Sequence, residues 1–158
     1  MRVAILTISD SVSKGIRQDA SGPAVRERCG SLGWKIVSET VMPDDPAFIR
    51  DRLTTLADGG DVDLILTTGG TGIGPRDSTP EATAQACEKL VPGIPEVMRE
   101  YGRKKNSHAI LSRAVAGVRG ATLIVNLPGS PRGATESLDA VADLLPHALE
   151  VLRGARHD

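Results

Sequence analysis

Residues 64–83 read LILTTGGTGIGPRDSTPEAT, and this stretch decides the fold. Val62, Leu64, Ile65 and Leu66 form a short β-rich apolar run of the kind buried in a parallel sheet. The run ends in two threonines, and Gly69, Gly70, Gly72 and Gly74 follow within six residues. Glycines there free the backbone to take positive φ and to approach a ligand closely. Thr79 ahead of Pro80 and Glu81 predicts a helix start, with the threonine hydroxyl as the cap. A glycine loop between the carboxyl end of a strand and a helix N-terminus is where open α/β sheets bind ligands, anions in particular. It is not a Walker loop, because Pro75 and Arg76 follow Gly74 where a Lys-Ser or Lys-Thr pair is required. It is not the dinucleotide fingerprint either, since Pro75 stands where a third glycine belongs. A tight strand-to-helix turn alone would also use glycines, but Asp77 is then left without a capping duty.

Working outward, strand and helix alternate along the chain, which predicts a mostly parallel sheet covered on both faces. Strands are expected at 2–9, 34–42 and 62–68. Helices are expected from Ser21-Gly22-Pro23 to near Gly33, from Asp45-Pro46 to Gly59, at 80–90 and at 95–104. Residues 115–118 and 122–127, joined by Arg119-Gly120, predict an antiparallel pair added at one edge. Ser130-Pro131 opens the last helical region, which Pro146 kinks or restarts. The whole, 1–158, reads as one three-layer α/β domain.

Composition narrows the function classes. The net charge is −1 with both signs interspersed, so no nucleic-acid surface is expected. Phe48, Trp34 and Tyr101 are the only aromatics, which argues against a base-stacking module. Cys29 and Cys87 have no metal spacing and are expected to be reduced and buried. The chain begins directly in a strand, and no apolar run reaches membrane-spanning length. A soluble cytoplasmic enzyme is expected. His108, His147 and His157 show no ligand spacing and are given no role.

The loops after the strands share one polarity. Strand one leads to Ser9, Asp10 and Ser11, strand two to Pro43, Asp44 and Asp45, and the last strand to LPGSPRG at 127–133. Asp45 before Pro46 is a helix cap, which leaves Asp44 and Asp77 as loose carboxylates on neighbouring strand ends. Two such carboxylates suit Mg²⁺, which fills its other positions with water and phosphate oxygens. Solvated loop charge is the simpler alternative. LPGSPRG is either a plain strand-turn-helix capped by Ser130 or an anion grip built from Gly129, Ser130 and Arg132. Arg99, Arg103, Lys104 and Lys105 read first as a solvated helix end. There is no GxSxG and no activated cysteine, so covalent catalysis is unsupported.

TTGGTGIGPRDSTPEAT, NLPGSPRGATESLDAV and ISDSVSKGIRQDASGP together resemble the molybdenum-cofactor adenylyltransferases, the family related to the gephyrin G domain, over nearly the whole chain. The resemblance implies a three-layer α/β fold, a homotrimer, and transfer of AMP from Mg-ATP to the terminal phosphate of molybdopterin with release of pyrophosphate. It places the family's two essential aspartates on Asp44 and Asp77, serving magnesium and phosphate positioning. It assigns Thr68, Gly69, Gly70, Thr71 and Gly72, with Pro128, Gly129 and Ser130, to the nucleotide and pterin pocket, and adds Ser9 and Asp10 as ligand contacts. It also implies a separate molybdenum-insertion protein as partner. Close relatives, the cofactor-biosynthesis proteins B, have an altered Pro-Asp before the second helix, whereas Pro43-Asp44 is intact here. A non-catalytic molybdopterin-binding protein of the same fold is the alternative.

Overall fold

The computed structural model describes residues 1–156. The chain runs β1 (Arg2–Ile8), α1 (Asp10–Ser13), α2 (Ser21–Ser31), β2 (Lys35–Met42), α3 (Pro46–Asp58), β3 (Leu64–Thr68), α4 (Thr79–Ala86) and β4 (Lys89–Leu90). It continues through α5 (Gly93–Arg103), a 3₁₀ turn (Ser107–Leu111), β5 (Ala116–Arg119), β6 (Thr122–Leu127), α6 (Pro131–Val141) and α7 (Leu145–Leu152). The six strands form one sheet in the order β2-β1-β3-β6-β5-β4. The first four are mutually parallel, and β5 and β4 are added antiparallel at one edge. The expected α/β architecture with its antiparallel addition is therefore the observed one.

Strand alternation sends side chains to two separate cores. Val3, Ile5, Leu64, Leu66, Leu123 and Val125 pack with residues of α2, α5, α6 and α7. Ala4, Leu6, Ile8, Ile65 and Ile124 face the other way, onto Ile49, Leu53, Ala82 and Ala86 of α3 and α4. Burying each large aliphatic side chain contributes about 1.5–3 kcal/mol, and partly buried Trp34 packs against the first core. Asn126 is fully buried on β6, and its polar atoms are all satisfied. Its amide donates to Thr67 and Thr83 Oγ1, at 3.0 and 2.9 Å, and its oxygen accepts from the Val115 amide.

Two local expectations need correction. Residues 89–90 form a short edge strand, so α4 ends at Ala86 rather than near 90. Thr79 is not the cap: Ser78 occupies that position, and Thr79 is the first helical residue. The reason is that the Thr79 amide bonds back to the Gly70 carbonyl at 3.1 Å, which draws the helix start onto the glycine loop. Pro146 restarts the last helical region as expected, standing in the first turn of α7. Asp45 does cap α3, accepting from the Phe48 amide at 3.1 Å.

Candidate active site

β1, β2, β3 and β6 all run the same way, so their carboxyl ends and following loops meet on one rim. The chain moves outward from β1 to β2 and then returns past β1 to β3, which makes the β1–β3 boundary a topological switch point. The glycine loop leaves β3 at that boundary. Gly69 has φ +93° and lies over the end of β1, where a Cβ would strike the Ile8 carbonyl oxygen. Its amide bonds to the Leu127 carbonyl at the end of β6. Gly129 faces it from the β6 loop, and a Cβ there would come within 3.2 Å of the Gly69 Cα. Glycine is required at these positions for close approach of three strand ends.

One side of this loop is acidic. The Asp10 amide donates to Asp44 Oδ2 at 2.9 Å, and the Asp44 amide donates back to Asp10 Oδ1 at 3.0 Å. This reciprocal pair ties the end of β1 to the end of β2, so Asp44 has a structural duty that its sequence position did not reveal. Its second oxygen is different. Asp44 Oδ1 is buried with no hydrogen-bond partner, and a Cβ on Gly70 would lie 2.9 Å from it. Burial pushes the Asp44 carboxyl above its ordinary value, and the charges of Asp10 and Asp77 push the same way. Asp10, held by the Arg76 guanidinium, is shifted down. Arg76 grips it through Nε and Nη2, at 2.9 and 3.2 Å.

The other side of the loop opens into a cavity of about 640 Å³. Gly70, Thr71, Gly72 and Asp77 form one wall, and Pro128, Gly129 and Ser130 another. The Asp77 carboxylate accepts the Gly74 amide at 2.9 Å and so fixes the loop from within. It faces the cavity while its charge still acts on Asp44. Ser130 caps α6 through the Gly133 amide at 3.0 Å, which leaves the helix N-terminus turned to the same space.

The rim thus brings together Asp10, Asp44, Asp77, Gly70, Thr71, Gly72 and the 128–130 segment. It does not bring in Thr68, which is buried and bonded through Oγ1 to Ser21. Gly69 serves close packing, and Ser9 caps α1 through the Val12 amide at 3.3 Å. Arg132 lines the cavity beside Gly129 and Ser130, as the anion-grip alternative has it; Arg99 and Lys105, read first as a solvated helix end, line its far wall, and so does His108. His157 lies outside the described residues. Arg113 was missed altogether. It donates to the Gly72 and Asp77 carbonyls at 2.7 and 3.0 Å and pairs with Glu81, bracing the glycine loop from 36 and more residues away. No sequence motif announces such a long-range brace. Burial raises both thiols to about 11, so neither cysteine is a nucleophile.

Comparison with known proteins points to one family. A family model described as a probable molybdopterin binding domain matches residues 4–147. The molybdopterin adenylyltransferase of Helicobacter pylori strain 26695 is 39% identical over 156 residues, covering 98% of this chain and 89% of that protein. The Escherichia coli K12 protein of the same name is 37% identical over 168 aligned positions, covering 98% and 86%. Among solved structures, the molybdopterin biosynthesis enzyme MoaB from Thermus thermophilus superimposes with a TM-score of 0.91 at 50% identity, covering 99% of each chain.

Proposed function

The chain belongs to the molybdopterin-binding-domain family, and from that premise we propose that it is a molybdopterin adenylyltransferase, moving AMP from ATP to the terminal phosphate of molybdopterin. The observation that carries the reading is Asp44 Oδ1, a buried carboxylate oxygen with no partner, beside a glycine loop whose other face lines a substrate-sized cavity. A buried ionised oxygen left unsatisfied is costly unless a cation or ligand completes it.

Mg²⁺ fits this donor set. Asp44 and Asp77 are hard oxygen donors, and no cluster of three or more His, Cys, Asp or Glu side chains suited to a metal occurs among the described residues. A structural transition-metal site is thereby disfavoured, whereas Mg²⁺ commonly takes one or two carboxylates and leaves the rest to water and phosphate. When bound, the ion supplies charge neutralisation between carboxylates and phosphates. The chain's own residues do the positioning. The Gly70–Gly72 backbone lets a phosphate approach closely, the α6 N-terminus offers amide donors, and Asp77 couples the cavity to Asp44. The attacking phosphate oxygen is already anionic, so no general base is needed, and in-line placement is the main task.

Product analysis with molybdopterin, ATP and Mg²⁺ tests the reading. Wild type should yield adenylyl-molybdopterin and pyrophosphate. Asp44→Asn and Asp77→Asn should each lose about 10²–10³-fold in rate, the scale of removing one electrostatic stabiliser. Pterin binding by wild type without any product would instead establish the alternative, a non-catalytic molybdopterin-binding protein. The reading extends to a homotrimer and to a docking molybdenum-insertion protein. Sedimentation equilibrium at three times the 16.6 kDa chain mass checks the first.

A further inference from the structure

We infer that Arg76 receives the polyphosphate tail of ATP, exchanging its Asp10 partner for phosphate oxygens; the inference rests on the adenylyltransferase reading. Arg76 and Asp77 are adjacent in sequence yet serve opposite sides of the glycine loop. Asp77 lines the cavity, and Arg76 instead reaches across to Asp10, which is locked to Asp44 by the reciprocal amide bonds. Two substrates that react with each other must meet at one phosphorus, and these two residues lie on either side of the loop where they would meet.

The acidic side of the loop requires a cation of the protein's own to receive phosphate. Asp10, Asp44 and Asp45 crowd the ends of β1 and β2, and the charges of Asp44 and Asp45 act on Arg76. Polyphosphate approaching three carboxylates is repelled. Arg76 is the side chain that reverses this, and it is placed to do so. It holds Asp10 through Nε and Nη2, and its side chain remains 65% exposed. Exposed ion pairs are weak, and a guanidinium binds phosphate oxygens in the same forked geometry as a carboxylate. In the reaction, an oxygen of the molybdopterin phosphate forms a bond to the α-phosphorus of ATP. The bond from that phosphorus to the bridging oxygen breaks, and its electron pair leaves on pyrophosphate. Charge therefore grows on the leaving group, where Arg76 stabilises it. Lys14 and Arg17 lie nearby, but Arg17 only touches Ser9 Oγ at 3.4 Å, and Lys14 acts on Asp10 through its charge alone.

Calorimetric titration of the purified protein with ATP, AMP and adenosine tests this, using wild type, Arg76→Ala, Arg76→Lys and Arg17→Ala. Thermal unfolding of each variant verifies folding. Arg76→Ala should weaken ATP by about 10-fold or more while leaving AMP and adenosine within about 2-fold, the pattern of a lost charge-assisted bond to the β,γ-phosphates. Arg76→Lys should recover only part of the loss. A loop clamp would behave otherwise: Arg76→Ala would lose all three ligands alike, and that result overturns the inference. So does equal weakening by Arg17→Ala, which would mean only general charge. If wild type binds ATP and makes product while Arg76→Ala binds ATP normally, the inference alone falls. If wild type binds no ATP, the inference falls together with the adenylyltransferase reading.

Discussion

At Asp44, burial and charge pull against function in a way that pH and magnesium can expose. Its carboxyl is shifted up by burial, then by Asp10 and Asp77. A raised folded-state value means that the protonated form is the one folding favours. Its contribution to stability is thus fully present below the unfolded value of 3.8 and is lost as pH rises through the folded value. Above that range the protein carries an unsatisfied anion, and a cation that binds only the ionised form should relieve it. Mg²⁺ at ten times its dissociation constant stabilises by about 1.4 kcal/mol, a rise of roughly 3–5 °C in Tm for a chain of this size. The expected result from differential scanning fluorimetry is a Mg²⁺-dependent rise at pH 7.5. It should shrink towards pH 4 and be largely absent in Asp44→Asn. An equal rise in the variant would remove Asp44 from the metal site.

The elements around that residue owe their placement to backbone shape, and Gly69 makes the point most sharply. A side chain there meets two penalties at once: φ of +93° and collision with the Ile8 carbonyl oxygen, a backbone atom that cannot swing away. Gly69→Ala should therefore cost about 3 kcal/mol or more, read as a lower urea midpoint with an unchanged m-value. Gly30→Ala, inside α2 with open space around its Cβ position, should be neutral or slightly stabilising. The glycine cluster and the alternation of apolar runs made β3, its loop and the parallel sheet legible in sequence, because both are local signals. The short elements were not. β4 is two exposed residues, Lys89 and Leu90, paired with Val118 and Gly117, so only its partner strand defines it. Ser78 rather than Thr79 precedes α4 because of a bond to Gly70, nine residues away. Asp44 was legible as a candidate site residue through its motif, whereas its bond to Asp10, and the Arg113 brace, exist only once the strands are assembled.

Across the whole molecule, the end of the sheet opposite the site is fastened by a single buried carboxylate. Asp63 precedes β3 and is 6% exposed. It accepts the Arg2 amide at 2.6 Å, the Arg2 guanidinium at 3.0 Å, and the Arg153 guanidinium, just past α7, at 2.7 Å. One side chain thereby joins the first strand, the central strand and the end of the last helix. The Arg2 hydrogen bond is the chief reason its carboxyl is lowered from 3.8 to about 2. A lowered value has the opposite sign from that of Asp44. The stabilisation is present above 3.8 and is lost as pH falls towards about 2. Asp63→Asn keeps the size and one acceptor oxygen but removes the charge that both arginines meet. It should cost about 2 kcal/mol at pH 7, the scale of hydrogen bonds to a charged group, and the difference from wild type should narrow steadily between pH 4 and pH 2. Urea unfolding at a series of pH values measures both, and a cost that persists undiminished at pH 2 would show that packing, not charge, holds this end together. Because Asp63 is remote from the candidate active-site rim, adenylyl transfer by the folded variant at pH 7 should match wild type. The two ends of the sheet would then be separable, one set by a carboxylate that folding prefers protonated and the other by one that it prefers ionised.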